Sequence, residues 1–181
     1  MEKNKIAIGI ILGSTREGRV SPQVGEWFYS LAKKRTDATF EIVDIKDYNL
    51  PLLGTSSDKE GIKQWNAKLA SLDGFVFVTA EYNHSITASL KNALDLAKDA
   101  WNNKAAGIVS YGSAYGARAA EHLRGILGEL QIADVRTQVL LSLFTDFDEA
   151  GKFKPMALHE SNVNSMLDQL TKWSIALKTI R

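Results

Sequence analysis

The sequence predicts an α/β domain: a doubly wound, mostly parallel β-sheet with helices on both faces. Three observations carry this. Apolar runs of strand length alternate with segments of helical periodicity from end to end. Several runs are apolar throughout, as strands buried on both faces are. The chain has 181 residues, a size that suits one domain over residues 1–181. Strand–helix alternation implies right-handed crossovers and therefore parallel strands.

Ile6–Leu12 is the first apolar run. Ser21 and Pro22 then have the character of a helix N-cap and a first-turn residue. Val24, Trp27, Phe28, Leu31 and Ala32 follow at helical spacing. Phe40–Ile45 reads as the second strand, and Asp44–Ser57, with Pro51 and Gly54, as a connection. Asp58–Leu72 reads as a helix with Ile62, Trp65 and Leu69 on one stripe. Gly74–Thr79 is the third strand and Ala80–Ile86 a loop; Thr87–Ala100 is a helix carrying Leu90, Ala93, Leu94 and Ala97. Ala105–Ser110 is the fourth strand, Tyr111–Gly116 a loop and Ala117–Leu130 a helix. Val135–Leu143 is the fifth strand, Phe144–Pro155 is polar and irregular, and the last helix spans about Leu158–Ile180. Five strands fit the flavodoxin-like order 2-1-3-4-5, whose ligands lie beyond the carboxyl ends of the strands. The loops after strands one, three and four are therefore the ones to inspect.

Composition excludes several function classes. There is no cysteine, so disulfides, thiolate–zinc sites and a cysteine nucleophile are ruled out. A formal net charge of +1 gives no electrostatic case for nucleic acid or an anionic membrane. No apolar run has the length to span a bilayer. Ile6–Leu12 is followed by Gly13-Ser14-Thr15-Arg16 rather than a small-residue cleavage site, so it reads as a core strand, not a signal peptide. A cytoplasmic protein is expected. His84, His122 and His159 are widely spaced, and no spacing suggests a metal site. Trp27, Trp65 and Trp173 fall at helical core spacing and read as packing or interface residues; Trp101 ends a helix.

The first loop, Gly13–Ser21, joins a buried strand to a helix N-terminus, where free N–H groups and the helix dipole favour an anion. Ser14, Thr15 and Ser21 add hydroxyls, and Arg16 and Arg19 add guanidiniums suited to phosphate. The glycines match neither a dinucleotide fingerprint nor a P-loop. A capped turn with solvated arginines fits the same residues. The second loop offers Glu81, Tyr82, Asn83 and His84, suited to stack on and hydrogen-bond a flat heterocycle. A surface turn in which Asn83 and Ser85 cap the next helix fits them too. The third loop, Ser110-Tyr111-Gly112-Ser113-Ala114-Tyr115-Gly116, has small residues that let backbone approach a ligand closely; a tight turn without a ligand is the alternative. Ser113 sits in no nucleophile-elbow frame.

Together these segments resemble a known family. Leu12-Gly13-Ser14-Thr15-Arg16 after strand one, Glu81-Tyr82-Asn83 before a helix reading Ser89-Leu90-Lys91-Asn92-Ala93-Leu94-Asp95, and Tyr111-Gly112-Ser113 after strand four are similar to the NAD(P)H-dependent FMN reductases, the azobenzene and quinone reductases among them. The resemblance runs from about Ile6 to Leu143. It implies bound FMN, with NADPH or NADH as electron donor. It implies phosphate binding by Ser14, Thr15, Arg16, Arg19 and Ser21, with Arg19 also able to face solvent or a phosphate of the nicotinamide cofactor. Glu81, Tyr82, Asn83 and His84 would line the isoalloxazine and ribityl region, and Ser110, Tyr111, Gly112, Ser113 and Gly116 the pyrimidine side. Ala80 stands where the family usually has proline, and Gly116-Ala117 where it often has paired glycines.

The implied activity is a ping-pong hydride transfer through FMN to small acceptors such as quinones, azo compounds or flavins, with no protein nucleophile and no metal. The resemblance also implies a homodimer or homotetramer, for which the apolar residues of the third and last helices are candidates. Two other classes compete. An electron carrier or redox-sensing flavoprotein of this fold tends to be strongly acidic, whereas this chain is near neutral. A phosphoryl or response-regulator domain needs clustered acids at the strand ends, where this chain has Gly13-Ser14.

Overall fold

A computed structural model describes residues 5–55, 59–97 and 99–181. Strand β1 (Ile6–Leu12) is followed by α1 (Ser21–Ala32), β2 (Ala38–Asp44) and α2 (Glu60–Ala70). Strand β3 (Gly74–Ala80), α3 (Ala88–Asp95), β4 (Lys104–Gly112) and α4 (Ala117–Glu129) come next. Two short strands, β5 (Ile132–Asp134) and β6 (Val139–Ser142), precede α5 (Leu158–Lys178). Among the described residues the sheet has six strands in the order β2-β1-β3-β4-β5, with β6 also on β4, and every pairing is parallel. The expected doubly wound fold and strand order are therefore present. The expected start of the second helix at Asp58 lies outside the described residues.

The apolar runs of β1, β3 and β4 are buried because helices cover both sheet faces. On one face Ile8, Ile10, Val76, Val78 and Val109 pack against Val24, Phe28, Val163 and Leu167 of α1 and α5. On the other, Ile11, Phe75, Phe77 and Ile108 pack under Trp65, Leu90, Leu94, Leu123 and Leu127 of α2, α3 and α4. Gly107 lets α5 come close to β4: a Cβ there would lie 2.8 Å from Met166 Sδ.

Three expectations are corrected. The fifth strand is split, since β5 pairs with residues 104–106 and β6 with 109–112. The side chain of Arg124 takes over the missing ladder. It bonds the Asp134 carboxylate, the Val135 and Arg136 carbonyls at 3.1 and 3.2 Å, and Gln138 Oε1 at 2.8 Å. Helix α3 stops at Asp95 rather than Ala100 because its last carbonyls find other donors. Trp65 Nε1 donates to Ala93 O at 2.9 Å, Trp101 Nε1 to Leu94 O at 3.1 Å, and Asn66 Nδ2 to Leu96 O at 3.0 Å. Ser21 is not an N-cap: Val20 holds that position with no side-chain cap, and Ser21 sits in the first turn before Pro22. The genuine cap is on α3, where Thr87 Oγ1 accepts from Leu90 N at 3.2 Å.

The tryptophans divide. Trp65 and Trp101 are fully buried with ring centroids 6.0 Å apart, and Trp27 packs at the edge of the core, while Trp173 is half exposed. The apolar residues of the third helix, Leu90, Ala93, Leu94 and Ala97, are all consumed by the core, so among the described residues of the two helices expected to offer an interface the large exposed apolar groups, Leu158, Trp173 and Ile175, are on α5. No helix among the described residues is long and apolar enough to cross a membrane.

Lys104 opens β4 as a buried cation, 4% exposed, with Nζ donating to Leu69 O at 2.6 Å and lying 5.4 Å from the Phe75 ring centre. Burial and the nearby Arg181 guanidinium, against a weaker pull from Asp73, push its pKa down to about 8. In the unfolded chain a lysine titrates near roughly 10.4. Between these values the native state binds fewer protons than the unfolded state, so this residue makes stability rise with pH across that window. Lys104→Met is expected to abolish that contribution. Urea denaturation at about pH 7.5, 9 and 10 should show the wild-type midpoint climbing relative to the variant's; midpoints that stay parallel would refute the assignment.

Candidate functional site

The carboxyl ends of β1, β3 and β4 bring the three loops together. Gly13 N donates to Val78 O at 2.8 Å, which fixes the start of the first loop to β3. Gly13 O accepts from Thr87 Oγ1 and, at 2.8 Å, from Ser89 Oγ, which fixes it to α3. Between them runs a cleft of about 190 Å³ lined by Ser14, Thr15, Arg16, Tyr82, Thr87, Ala88 and Ser89. It adjoins a groove of about 380 Å³ that shares Thr15, Ala88 and Ser89 and reaches Lys46, Leu52 and Asn92. A larger hollow of about 600 Å³ lies by Lys5, Thr36 and Ile175 at the opposite edge of the sheet, remote from these loops. Size alone does not locate the site; convergence of polar groups does.

The first loop presents its hydroxyls and one guanidinium. Ser14 and Ser21 are buried with Oγ atoms 2.7 Å apart, beside the buried Tyr111 phenol. Burial raises the Tyr111 pKa; the two serine hydroxyls oppose the shift. The phenol therefore stays protonated at neutral pH. Arg16 is exposed, its Nε donating to Tyr82 Oη at 2.7 Å and its NH1 to Glu17 O at 2.9 Å. The Tyr82 bond raises its pKa further, so it is a permanent cation at the cleft mouth. Gly18, at φ +63°, turns the chain beside it.

Arg19 is placed otherwise than expected. Its NH1 donates to Ser14 O and to Asp44 Oδ1, both at 2.6 Å, and its NH2 reaches Asp44 Oδ2. Both sides of this ion pair are largely buried. Arg19 thus braces the loop from below, joined to the end of β2, and faces neither solvent nor the cleft.

The second loop is a two-residue hairpin turn. Tyr82 and Ser85 exchange N–H···O bonds of 2.9 and 3.0 Å, and Asn83 and His84 both have positive φ, +48° and +69°. That is the turn whose twist matches flanking strands, and Asn suits its first central position. Neither Asn83 nor Ser85 caps α3. The turn instead lifts Tyr82, Asn83 and His84 into solvent at the strand ends. Glu81 departs from its expected role. Its side chain, 3% exposed, takes Arg118 Nε at 2.5 Å and Arg118 N at 3.1 Å. Burial alone would raise this carboxyl; the Arg118 guanidinium and the backbone N–H groups of Arg118 and Ala119 outweigh it and hold it below the usual carboxylate range. Arg118 NH1 also meets His84 Nε2 at 3.0 Å. Glu81 therefore ties the second loop to the start of α4.

In the third loop, Tyr111 and Gly112 belong to β4, and only Ser113 to Gly116 form the turn. Ser110 Oγ, buried, donates to Tyr115 O at 3.4 Å. Gly116 is required, since at φ +70° a Cβ would sit 2.6 Å from Tyr111 N. Ser113 and Tyr115 are exposed above the strand ends.

All three loops therefore meet, but Arg19 and Glu81 hold them together rather than line the cleft. Arg118, Thr87 and Ser89 complete the constellation. Ser89 opens the helix motif that carries the family resemblance; Thr87 and Arg118 were not anticipated, and their only sequence signal is position, at the starts of the two helices that follow the second and third loops. Among the described residues no group of three or more His, Asp or Glu side chains is placed to hold a metal.

Comparison with known proteins matches residues 6–146 to the family described as NADPH-dependent FMN reductase. The chain is 37% identical over 155 residues to an NAD(P)H-dependent FMN reductase of Schizosaccharomyces pombe, covering 81% of this chain and 78% of the relative. It is 34% identical over 137 residues to a 2-hydroxy-1,4-benzoquinone reductase of a Burkholderia species, covering 70% and 73%. Among solved structures, the FerB flavoenzyme NAD(P)H:(acceptor) oxidoreductase of Paracoccus denitrificans superposes with a TM-score of 0.76 at 18% identity, over 92% of this chain and 98% of that one. At that identity the likeness speaks for the fold alone. The family match spans most of the described chain and takes in all three converging loops: this protein belongs to the NADPH-dependent FMN reductase family.

Proposed function

We propose that this chain is an NAD(P)H-dependent, FMN-containing oxidoreductase that reduces small planar acceptors of the quinone, azo or flavin type in a ping-pong cycle. The observation that carries this is the junction of Ser14, Ser21 and Arg16 with the Tyr82–Ser85 turn and the Tyr111–Gly116 segment at the carboxyl ends of adjacent parallel strands. The residues present fit FMN. Hydroxyls and a fixed cation suit a phosphate dianion, and the two carboxylates that reach this edge from β2 and β3, Asp44 and Glu81, are each already paired with an arginine. When bound, FMN supplies a ring that accepts a hydride equivalent from NAD(P)H and passes two electrons onward.

The chain's own residues bind, orient and shield. Ser14, Thr15, Ser21 and Arg16 would hold the phosphate end at the α1 terminus. Arg16, fixed through Nε to Tyr82, couples that end to the ring end. Tyr82, Asn83 and His84 would flank the ring, and backbone N–H groups around Gly112 and Ser113 would stabilise negative charge at its pyrimidine edge. Arg19 with Asp44, and Glu81 with Arg118, hold the two sides in register. Assembly as a homo-oligomer is consistent with the exposed Trp173 and Ile175 of α5.

Purified protein is expected to be yellow, or to take up added FMN near a 1:1 ratio, and to bleach when NADPH or NADH is added anaerobically. A colourless protein that takes up no FMN would refute the proposal. Steady-state rates with both nicotinamides against a panel of acceptors would then set the preferences. Arg16→Ala is expected to weaken FMN binding roughly tenfold or more, the loss of a charge-assisted contact. Riboflavin, which lacks the phosphate, should lose far less. Fluorescence titration of both ligands reads this directly, and an unaltered ratio of the two affinities would remove Arg16 from the phosphate site.

A further inference from the structure

The turn after β6 holds apolar side chains in solvent beside the third loop. Phe144 is 77% exposed and Leu143 44%. Apolar groups gain by leaving water, so a pliant segment would fold them down. This turn is not pliant. Ser142 N donates to Asp146 Oδ2 at 2.8 Å, Asp146 N donates to Ser142 O at 3.0 Å, and Phe144 N donates to Ser142 Oγ at 3.1 Å. The Asp146 carboxylate is fully buried and also takes Met156 N at 3.1 Å and His159 Nε2 at 2.8 Å. Five bonds thus fix the turn with its two apolar side chains pointing out.

The place of the turn gives those side chains a use. Gly112 O accepts from Tyr115 N at 3.1 Å and from Leu143 N at 3.2 Å. One carbonyl therefore joins the third loop to this turn, and Tyr115, Leu143 and Phe144 stand exposed around it, an uncharged aromatic and aliphatic rim. A second copy of the chain is the poorer occupant. A lone Phe offers roughly 200 Å², and even with the partly exposed Leu143, Met156 and Leu158 the patch falls short of the ~800 Å² per partner of a stable interface.

Resting on the flavin-reductase reading above, we infer that Leu143 and Phe144, held out by the Asp146 clamp, form the wall that selects flat, apolar acceptors over charged ones. Asp146 is the positioning residue and Phe144 the contact. The test compares kcat/KM for 2-methyl-1,4-naphthoquinone with that for ferricyanide. Phe144→Ala, an exposed substitution that leaves the core intact, is expected to lower the quinone-to-ferricyanide ratio roughly tenfold, the scale of one lost apolar contact. Phe144→Trp, which keeps a flat apolar face, should retain it. An unchanged ratio in Phe144→Ala would overturn the inference. So would a fall accompanied by a smaller sedimentation coefficient, which would make the patch a subunit contact. Failure of the underlying reading shows separately and earlier, as wild-type protein that takes up no FMN or is not reduced by NAD(P)H.

Discussion

A side chain at Gly13 would be crowded. A Cβ there would lie 3.0 Å from the Val78 carbonyl and 3.2 Å from Leu90. Because the backbone can lie this close, its N–H reaches β3 and its carbonyl takes two hydroxyls from the start of α3. The first and second loops are thereby parts of one rigid corner rather than two surface turns. The cleft between them exists because β1 and β3 are adjacent in the sheet although they are separated in sequence by a helix, a strand and another helix. Parallel pairing points both carboxyl ends the same way, and the reversal of strand order at β1 leaves the space above them uncovered.

Around that corner the charged residues act mainly as braces. Arg19–Asp44 and Arg118–Glu81 are both shielded from water on at least one side. Leaving one partner of such a pair buried alone is strongly destabilising. These pairs therefore fix loop geometry more than they add net stability. Their positions also separate two kinds of arginine. Those facing carboxylates are structural, whereas Arg16, whose partners are a phenol and a carbonyl, keeps its charge available.

How much of this was legible in the sequence follows from the range of the interactions. β1, β3 and β4 were plain because burial on both faces writes an unbroken apolar run. The polar character of the first loop was readable because strand, hydroxyls and helix start are contiguous. Apart from the misplaced cap at Ser21, the departures depend on partners further along the chain. Val135–Leu143 looked like one strand because nothing local reveals that Arg124 bonds residues 134–138 in place of a ladder. α3 looked longer because the donors that end it are the indoles of Trp65 and Trp101 and the amide of Asn66. Arg19 and Glu81 looked like ligand contacts because Asp44 and Arg118 lie 25 and 37 residues away. A residue's type announces what it can bind; only the fold decides whether that capacity is already used.

The bond from Arg16 Nε to Tyr82 has one more effect. A free arginine on a surface loop samples many rotamers, and a ligand that captures it must freeze them, at about 0.5–1.5 kcal/mol for such a side chain. Here the phenol has already restricted the guanidinium, so part of that ordering is complete before any phosphate arrives. The same bond works in reverse. On the proposed assignment, a ring that fixed Tyr82 would also restrict Arg16, so each end of an extended ligand would prepare the pocket for the other, and a molecule carrying both phosphate and ring would gain more than the sum of its halves.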